Sequence, residues 1–442
     1  MVPARVFFPA PRRVPEAVYL GFGLLVVVEE QFSLTIIQFE HTLRPEALFS
    51  PFAALQVWLL IEFARARWRE NRPRAAQLSG GCAIFFSGVL FFLKPAFGLA
   101  LIPANLPVAL SLFLSGMTPR RKWLLVAAPA LAVLVLLLIP EWRLRQPDTE
   151  GSAFLPETLF TVHADLIHRQ MAEDLADGAA IPYPRDWLAE VCASLERELR
   201  RSAAPAERPY PSLGFNPDYL KSKDSIILQL QKHWHYDSRP LAAFCSFYYW
   251  RIVTHQPMAM AGKILRQVGV FYGPWRCPAY RMSKRILLAQ DYEKSLASFE
   301  PQRREKINGY PATRAYLLRC ELLRHEPNLP RLARSRAYLN LNGIFACAYL
   351  PLGLGWLVLL IATFNSRERW DARWRCAALL ILLLHAYSFG INLTLAATHS
   401  LDIARYSQNQ LVFLVLAEGF TAVLLLEALL SFARPQRVIT EA

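Results

Sequence analysis

Long apolar runs, separated by short polar segments, occupy both ends of this chain and leave a long polar block between them. The hydrocarbon core of a bilayer is about 30 Å thick, so a spanning helix needs about 20 mostly apolar residues. A helix also satisfies its own backbone hydrogen bonds, which lipid cannot do. The pattern therefore predicts an all-α polytopic membrane protein with eight transmembrane helices. The predicted spans are residues 17–38, 47–64, 79–93, 96–116, 123–140, 338–363, 376–397 and 408–432.

The third span, 79–93, is short for a transmembrane helix and ends at the dipeptide Lys94-Pro95. A tight hairpin at this dipeptide would lead into the fourth span. One broken helix made of both spans is the alternative, because membrane helices tolerate internal proline. We favour the hairpin.

Basic residues are unevenly distributed among the connecting segments, and this predicts the orientation of the chain. Lys and Arg accumulate in loops that stay in the cytoplasm. Here they accumulate before the first span and after the second, fourth, sixth and eighth spans. These residues are Arg5, Arg12, Arg13, Arg65, Arg67, Arg69, Arg72, Arg74, Arg120, Arg121, Lys122, Arg367, Arg369, Arg373, Arg375, Arg434 and Arg437. We therefore expect a multi-pass protein of the inner (plasma) membrane with both termini in the cytoplasm.

This orientation divides the chain into three parts. Residues 1–140 form an N-terminal bundle of five transmembrane helices, and residues 338–442 form a C-terminal bundle of three. Residues 141–337 form an extracytoplasmic domain between them. Apolar side chains at three- and four-residue steps predict that this domain is mainly helical. Its predicted helices are residues 187–201, 218–234, 240–255 and 258–272.

The helix predicted at 258–272 has two interpretations. Its apolar face includes Met260 and Phe271, and its polar face is expected to carry Lys263, Arg266 and Gln267. Such a helix could lie on the membrane surface or pack inside the domain, since both positions need the same amphipathic pattern.

The formal net charge of +14 is explained mainly by the predicted orientation in the membrane and does not require a polyanionic partner. Seventeen of the 49 Lys and Arg residues lie in the cytoplasmic segments, so nucleic acid is not an expected partner. The chain also lacks a glycine-rich nucleotide loop and the HExxH and CxxC pairs of metal and redox sites. Four cysteines fall in the outer domain, where they could form disulfides or stay as buried thiols. They are Cys192, Cys245, Cys277 and Cys320.

Three short stretches carry a resemblance to a known family: EHTLRPEALF at 40–49, FLKPAFGLALIP at 92–103 and THSLDIARYSQNQ at 398–410. Their order and common predicted side resemble the GT-C superfamily of membrane glycosyltransferases, such as the dolichyl-phosphate-mannose-protein mannosyltransferases. The resemblance extends over most of the chain. It implies a hexosyltransferase that moves a sugar from a polyprenyl-phosphate donor to a lipid, glycan or protein acceptor of the cell envelope, outside the cytoplasm.

The same resemblance assigns roles to residues. Sugar transfer needs a carboxylate that takes the acceptor's proton and cations that hold the phosphate leaving group. Glu40 and Glu46 are the candidate catalytic residues. The preferred phosphate ligand is Arg405, because a guanidinium can bind two phosphate oxygens at once. The candidate substrate-binding residues are His41, Arg44, Lys94, His399, Asp402, Arg405 and Tyr406.

Each of these residues also has an ordinary structural role open to it. Glu40 and Glu46 could be solvated loop charges or partners of Arg44, and exposed ion pairs contribute little to stability. Lys94 could extend to the headgroups of bulk lipid. Arg405 could pair with Asp402 one helical turn earlier.

The first helix that is usual in this superfamily, and the long loop after it that carries the catalytic acid, have no counterpart before the first predicted span. This departure indicates either a truncated chain or a divergent or inactive relative. The alternative function is therefore a non-catalytic membrane subunit of a complex that assembles or exports envelope glycans. A solute transporter fits less well, because the spans show no inverted repeat.

One group, His163, Asp165 and His168, has some likeness to a metal site. On a helix His163 and Asp165 would point in different directions, and on a strand Asp165 and His168 would. Some members of the superfamily use a divalent cation. We nevertheless predict no metal site here and no cofactor beyond the donor lipid, and we interpret the three residues as polar positions in a loop or on the domain surface.

Overall fold

The computed structural model describes residues 14–31, 45–93, 98–113, 118–140, 154–204, 213–222, 225–272, 309–325, 333–366, 370, 372–398 and 410–433. Within these ranges every regular element is a helix. They contain fifteen α-helices, two π-helical turns at Arg65–Arg69 and Leu134–Leu138, and one 3-10 turn at Tyr219–Lys221.

The helices form two groups. The apolar group, which we call the bundle, comprises α1 Glu16–Gln31, α2 Pro45–Ala64, α3 Pro73–Leu93, α4 Gly98–Phe113, α5 Pro119–Val133, α13 Ala333–Asn365, α14 Ala372–Thr398 and α15 Leu411–Ala433. The amphipathic group, which we call the helical domain, comprises α6 Phe154–Val162, α7 Ala164–Ala176, α8 Arg185–Ser202, α9 Ile226–His233, α10 Ser238–His255 and α11 Pro257–Tyr272. α12, Pro311–His325, lies between α11 and α13 in the sequence.

Five helices of the described bundle are long and apolar enough to cross a membrane, so we describe the chain as a membrane protein. They are Pro73–Leu93, Pro119–Leu138, Gly343–Asn365, Trp374–Thr398 and Phe413–Phe432. The predicted start of the third span at residue 79 was wrong, since α3 begins at Pro73 and has 21 residues. Arg74 and Gln77 interrupt the apolar run within the first five residues of α3, which explains the error.

α3 and α4 form a hairpin and are not one broken helix. Asn105 Nδ2 in α4 donates a hydrogen bond of 2.8 Å to Ser87 Oγ in α3. Two residues 18 positions apart on a continuous helix would be separated by about 27 Å. The chain therefore turns back between α3 and α4, which confirms the hairpin interpretation of the sequence.

Contacts between helices show which helix termini share one end of the bundle. Ala64 at the end of α2, Leu110 near the end of α4 and Cys376 near the start of α14 line one cavity. Tyr19 in the first turn of α1 donates a hydrogen bond of 2.5 Å to Glu427 near the end of α15. The start of α1 and the end of α15 therefore lie at the same end of the bundle.

Two glycines let α3 and α5 pack closely and in the same direction. Gly80 faces Leu125 and Gly88 faces Val133, so both helices begin at the same end of the bundle. We call this end the arginine end and the opposite one the domain end. The basic residues of the described ranges at the arginine end are Arg65, Arg67, Arg69, Arg72, Arg74, Arg120, Arg121, Lys122, Arg373 and Arg375.

Replacing Gly88 with leucine is expected to destabilise the protein by about 1–3 kcal/mol, because a larger side chain must displace Val133 in a close helix contact. Thermal unfolding of the purified protein in detergent measures the effect. Gly353 in α13 is the matched control, since no atom lies within 4 Å of the position of its Cβ. An equal loss for Gly353→Leu would contradict the close-packing explanation.

The helical domain has its own apolar core, which includes Ile167 of α7, Leu195 of α8 and Phe244 of α10. The predictions for 187–201, 240–255 and 258–272 are confirmed as α8, α10 and α11. The prediction of one helix at 218–234 was wrong, because α9 begins only at Ile226. A carboxylate oxygen of Glu198 in α8 accepts a 2.8 Å hydrogen bond from the Ile226 backbone N–H, which satisfies a free donor at this new helix start.

Cys192 and Cys245 are buried free thiols within this core. The thiol interpretation is therefore confirmed for these two cysteines. The side chains of Cys277 and Cys320 lie outside the described residues.

Candidate functional site

The helical domain contacts the bundle at the end opposite the arginines. Val268 and Phe271 of α11 are buried in the same apolar cluster as Ile391 and Leu395 of α14. Because α14 ends at Thr398, these contacts lie within about its last two turns. We call this contact region the junction.

α11 connects the domain core to the bundle. Ile264, one turn before Val268, packs against both apolar clusters. The opposite face of α11 is exposed, with Met258 at 83% and Leu265 at 63% exposure. The sequence left open whether this helix lies on the membrane surface or packs inside the protein. Its apolar face packs inside the protein.

His163 links the domain to the end of α14. It lies in the turn between α6 and α7 and is fully buried, with Nε2 2.8 Å from the carbonyl oxygen of Ala397. Only the tautomer with Nε2–H can donate to this carbonyl, so Nδ1 is an acceptor. Burial and, less strongly, the nearby Lys263 ammonium lower the pKa of His163 from 6.5 to about 4. The imidazole is therefore neutral at pH 7.

Lys263 of α11 is a buried cation at the junction. Its ammonium donates a 2.8 Å hydrogen bond to the Val162 carbonyl and forms an ion pair with Asp165 in the first turn of α7. The side chain of Lys263 is 3% exposed. Burial lowers the pKa of Lys263, although the Asp165 carboxylate opposes this shift. A buried charge needs such partners, so Lys263 holds the turn that carries His163 against α11.

A second set of hydrogen bonds joins α11 to the two last helices. Asn392 Nδ2 of α14 donates to the Tyr272 hydroxyl over 3.1 Å. Gln410, just before α15, donates to Asn392 Oδ1 and accepts a 2.6 Å hydrogen bond from Ser388 Oγ. Thr398 and Gln410, which flank the segment 399–409, therefore both lie at the domain end of the bundle.

A third set of hydrogen bonds lies deeper in the bundle. The Tyr387 hydroxyl of α14 donates to Gln56 Oε1 of α2 over 3.1 Å. The Gln56 amide in turn donates to Ser87 Oγ of α3, which Asn105 of α4 also contacts. Hydrogen bonds between membrane helices hold them in register, so α2, α3, α4 and α14 form one connected unit.

Gln267 follows Lys263 by one helical turn and is 1% exposed. Neither its amide nitrogen nor its amide oxygen has a hydrogen-bond partner in the part of the chain that the structure describes. Buried polar groups are normally hydrogen-bonded. An amide can both donate and accept, which suits a hydroxyl-rich ligand.

The predicted site residues lie outside the described residues. This applies to Glu40, His41, Arg44, Lys94, His399, Asp402, Arg405 and Tyr406, and to the side chain of Glu46 in the first turn of α2. Their roles therefore stay predictions. The described helix termini that flank them all lie at the domain end: the starts of α2, α4 and α15 and the ends of α1, α3 and α14.

His163 lies in the turn between α6 and α7, which agrees with the loop interpretation, but it is buried, so it is not a surface residue. Asp165 pairs with Lys263. Among the described residues, no group of three His, Cys, Asp or Glu side chains could hold a metal ion.

Sequence reasoning also placed Lys263 and Gln267 on the polar face of their helix, which was wrong. Both follow Met260 at helical spacing and belong to the buried stripe of α11. That spacing was the signal that could have identified them.

Lowering the pH from 7 to 5 is expected to weaken the junction by about 2 kcal/mol through His163. Its pKa is lower in the folded protein, so the unfolded chain takes up the proton first as the pH falls. The stability contributed by neutral His163 is complete above about pH 6.5 and is lost progressively toward pH 4. Thermal unfolding at both pH values measures this loss.

His163→Gln is the matched variant for this experiment, because glutamine can donate to the Ala397 carbonyl and does not titrate. The wild type should lose about 2 kcal/mol more than this variant between pH 7 and pH 5. Equal losses in the two proteins would show that His163 is not responsible.

No known protein family, curated protein or solved structure matches this chain. The junction is therefore interpreted from its own residues.

Proposed function

We propose that this protein is a GT-C-like glycosyltransferase of the inner membrane, which transfers a sugar from a polyprenyl-phosphate donor to an envelope acceptor. All eight bundle helices would cross the membrane, with the arginine end and both termini in the cytoplasm. One observation carries the proposal. The helix termini that flank all three candidate loops lie at the bundle end that contacts the helical domain.

In this proposal, donor and acceptor meet at the domain end. Lys94 and Arg405 would hold the donor phosphate, since paired cations stabilise the charge that develops on the leaving group. Glu40 or Glu46 would take the proton from the acceptor hydroxyl. Gln267 would orient a sugar or acceptor hydroxyl, and this role is supported by its burial and by its amide without an assigned partner.

A binding experiment tests the donor site without knowledge of the sugar. Purified protein in detergent would be titrated with a sugar-free polyprenyl phosphate. Arg405→Ala should weaken binding by about 10- to 100-fold and Lys94→Ala by about tenfold, because each loses a charge-assisted hydrogen bond. Arg120→Ala is the control, since Arg120 is an exposed arginine at the opposite end of the bundle.

A transfer assay tests the chemistry. Membranes that contain the protein would receive radiolabelled polyprenyl-phosphate sugars, and label in lipid, glycan and protein fractions would be counted. Glu40→Gln with Glu46→Gln should abolish transfer and leave phosphate binding intact. Phosphate binding without transfer in the wild type would favour the non-catalytic subunit, and normal transfer by Arg405→Ala with Lys94→Ala would contradict the proposal.

A further inference from the structure

The arginine end of the bundle contains an apolar cavity of about 600 Å³. It lies between α2, α4 and α14, and its lining is almost entirely apolar, with the indole of Trp68 and the thiol of Cys376 as the side chains that carry a polar group. Leu106 and Leu110 of α4 line it and are each 50% exposed, so the cavity opens sideways between the helices. In a membrane, this opening would face the acyl chains of the bilayer.

The rim of this cavity has an unusual backbone. α2 continues into the π-helical turn Arg65–Arg69, whose sequence is RARWR. Single π-helical turns are rare and frequently occur at functional sites. Trp68 in this turn lines the cavity, is 46% exposed and packs edge-on against Phe63 with ring centroids 5.9 Å apart.

The same rim is positively charged. Residues 62–74 contain five arginines and two glutamates, which leaves a formal charge of +3. Arg65 contacts Glu62 at 2.5 Å, and Arg72 pairs with Glu70. Even with these ion pairs the segment keeps its excess of three positive charges, and this net charge favours an anion at the rim.

We propose that the cavity and the RARWR turn together bind one anionic phospholipid of the bilayer. An acyl chain fills the cavity, because an almost entirely apolar lining gives water too few hydrogen-bond partners. The phosphate lies at the turn, since basic pockets between transmembrane helices select anionic headgroups. This site is at the opposite end of the bundle from the proposed donor site and involves none of its residues.

Native mass spectrometry of the full chain in mild detergent tests the site. Phosphatidylglycerol and phosphatidylcholine with identical acyl chains would be titrated separately. We expect one phosphatidylglycerol to bind at least about fivefold more tightly than phosphatidylcholine. This ratio corresponds to the binding free energy that about one arginine contributes near an anionic lipid headgroup.

Two variants separate the tail from the headgroup. Leu110→Trp should weaken binding of both lipids by about tenfold by filling the cavity, and its half-exposed position accommodates the larger ring. Arg67→Gln should remove most of the preference for phosphatidylglycerol. The controls are Leu124→Trp, at a 45% exposed position on α5 outside the cavity, and Arg120→Gln.

Three outcomes would overturn this proposal. They are equal binding of both lipids by the wild type, unchanged binding by Leu110→Trp, and displacement of phosphatidylglycerol by sugar-free polyprenyl phosphate in a manner that depends on Arg405. Displacement of this kind would show that the cavity holds the polyprenyl chain of the sugar donor. If Leu110→Trp does not fold, Leu106→Trp fills the same cavity at an equally exposed position.

Discussion

Replacing Lys263 with methionine is expected to lower the free energy of unfolding by about 3 kcal/mol and to loosen the helical domain from the bundle. Methionine keeps the apolar stem but removes the ammonium, which leaves the buried Val162 carbonyl without its donor and Asp165 without its cation. Breaking a buried ion pair costs about 3–5 kcal/mol. We expect the lower end because Asp165 is 37% exposed and water can solvate it.

Thermal unfolding and protease sensitivity of the purified protein measure this effect. Arg266→Met is the matched control, since Arg266 is exposed on the same helix and should change stability by less than about 0.5 kcal/mol. A double-mutant cycle with Asp165→Asn isolates the ion pair. Full additivity of the two single changes would show that the pair does not stabilise the junction.

Replacing Asp174 with alanine is expected to destabilise the helical domain by about 3–5 kcal/mol. Asp174 is 3% exposed and accepts two hydrogen bonds from Arg251, of 2.6 and 2.7 Å. It also accepts a 2.9 Å hydrogen bond from Gln170. Alanine would leave the guanidinium of Arg251, itself 16% exposed, without a counter-ion.

Protease cleavage within residues 154–272 and thermal unfolding measure this loss. Asp177→Ala is the control, because Asp177 is an exposed carboxylate just after the same helix. A further change of Arg251 to methionine in the Asp174→Ala protein should recover part of the stability, since it removes the unpaired buried charge. No recovery would indicate that the carboxylate acts mainly through Gln170.

The helices could be predicted because each depends on a pattern within a short window of sequence. The predicted helix 187–201 has clear apolar steps and breakers at both ends, and the structure has α8 at Arg185–Ser202. One error, the start of the helix predicted at 218–234, arose where a distant residue intervenes. The helix start at Ile226 depends on Glu198, which is 28 residues away in the sequence.

The candidate site was less predictable, for the same physical reason. Lys263 and Gln267 are polar side chains and were assigned to the exposed face of an amphipathic helix. Their burial depends on contacts of α11 with α6, α7 and α14, and within α11 itself it is indicated by their helical spacing from Met260.

The sequence by itself determined that this chain is helical and apolar enough to enter a membrane, because hydropathy and helical periodicity are properties of neighbouring residues. It also determined where basic residues accumulate. Only the tertiary structure decided that those basic residues which it describes share one end of the bundle and that the helical domain contacts the other. The bond between His163 and the carbonyl of Ala397 joins residues 234 positions apart, and such a contact exists only once the chain has packed.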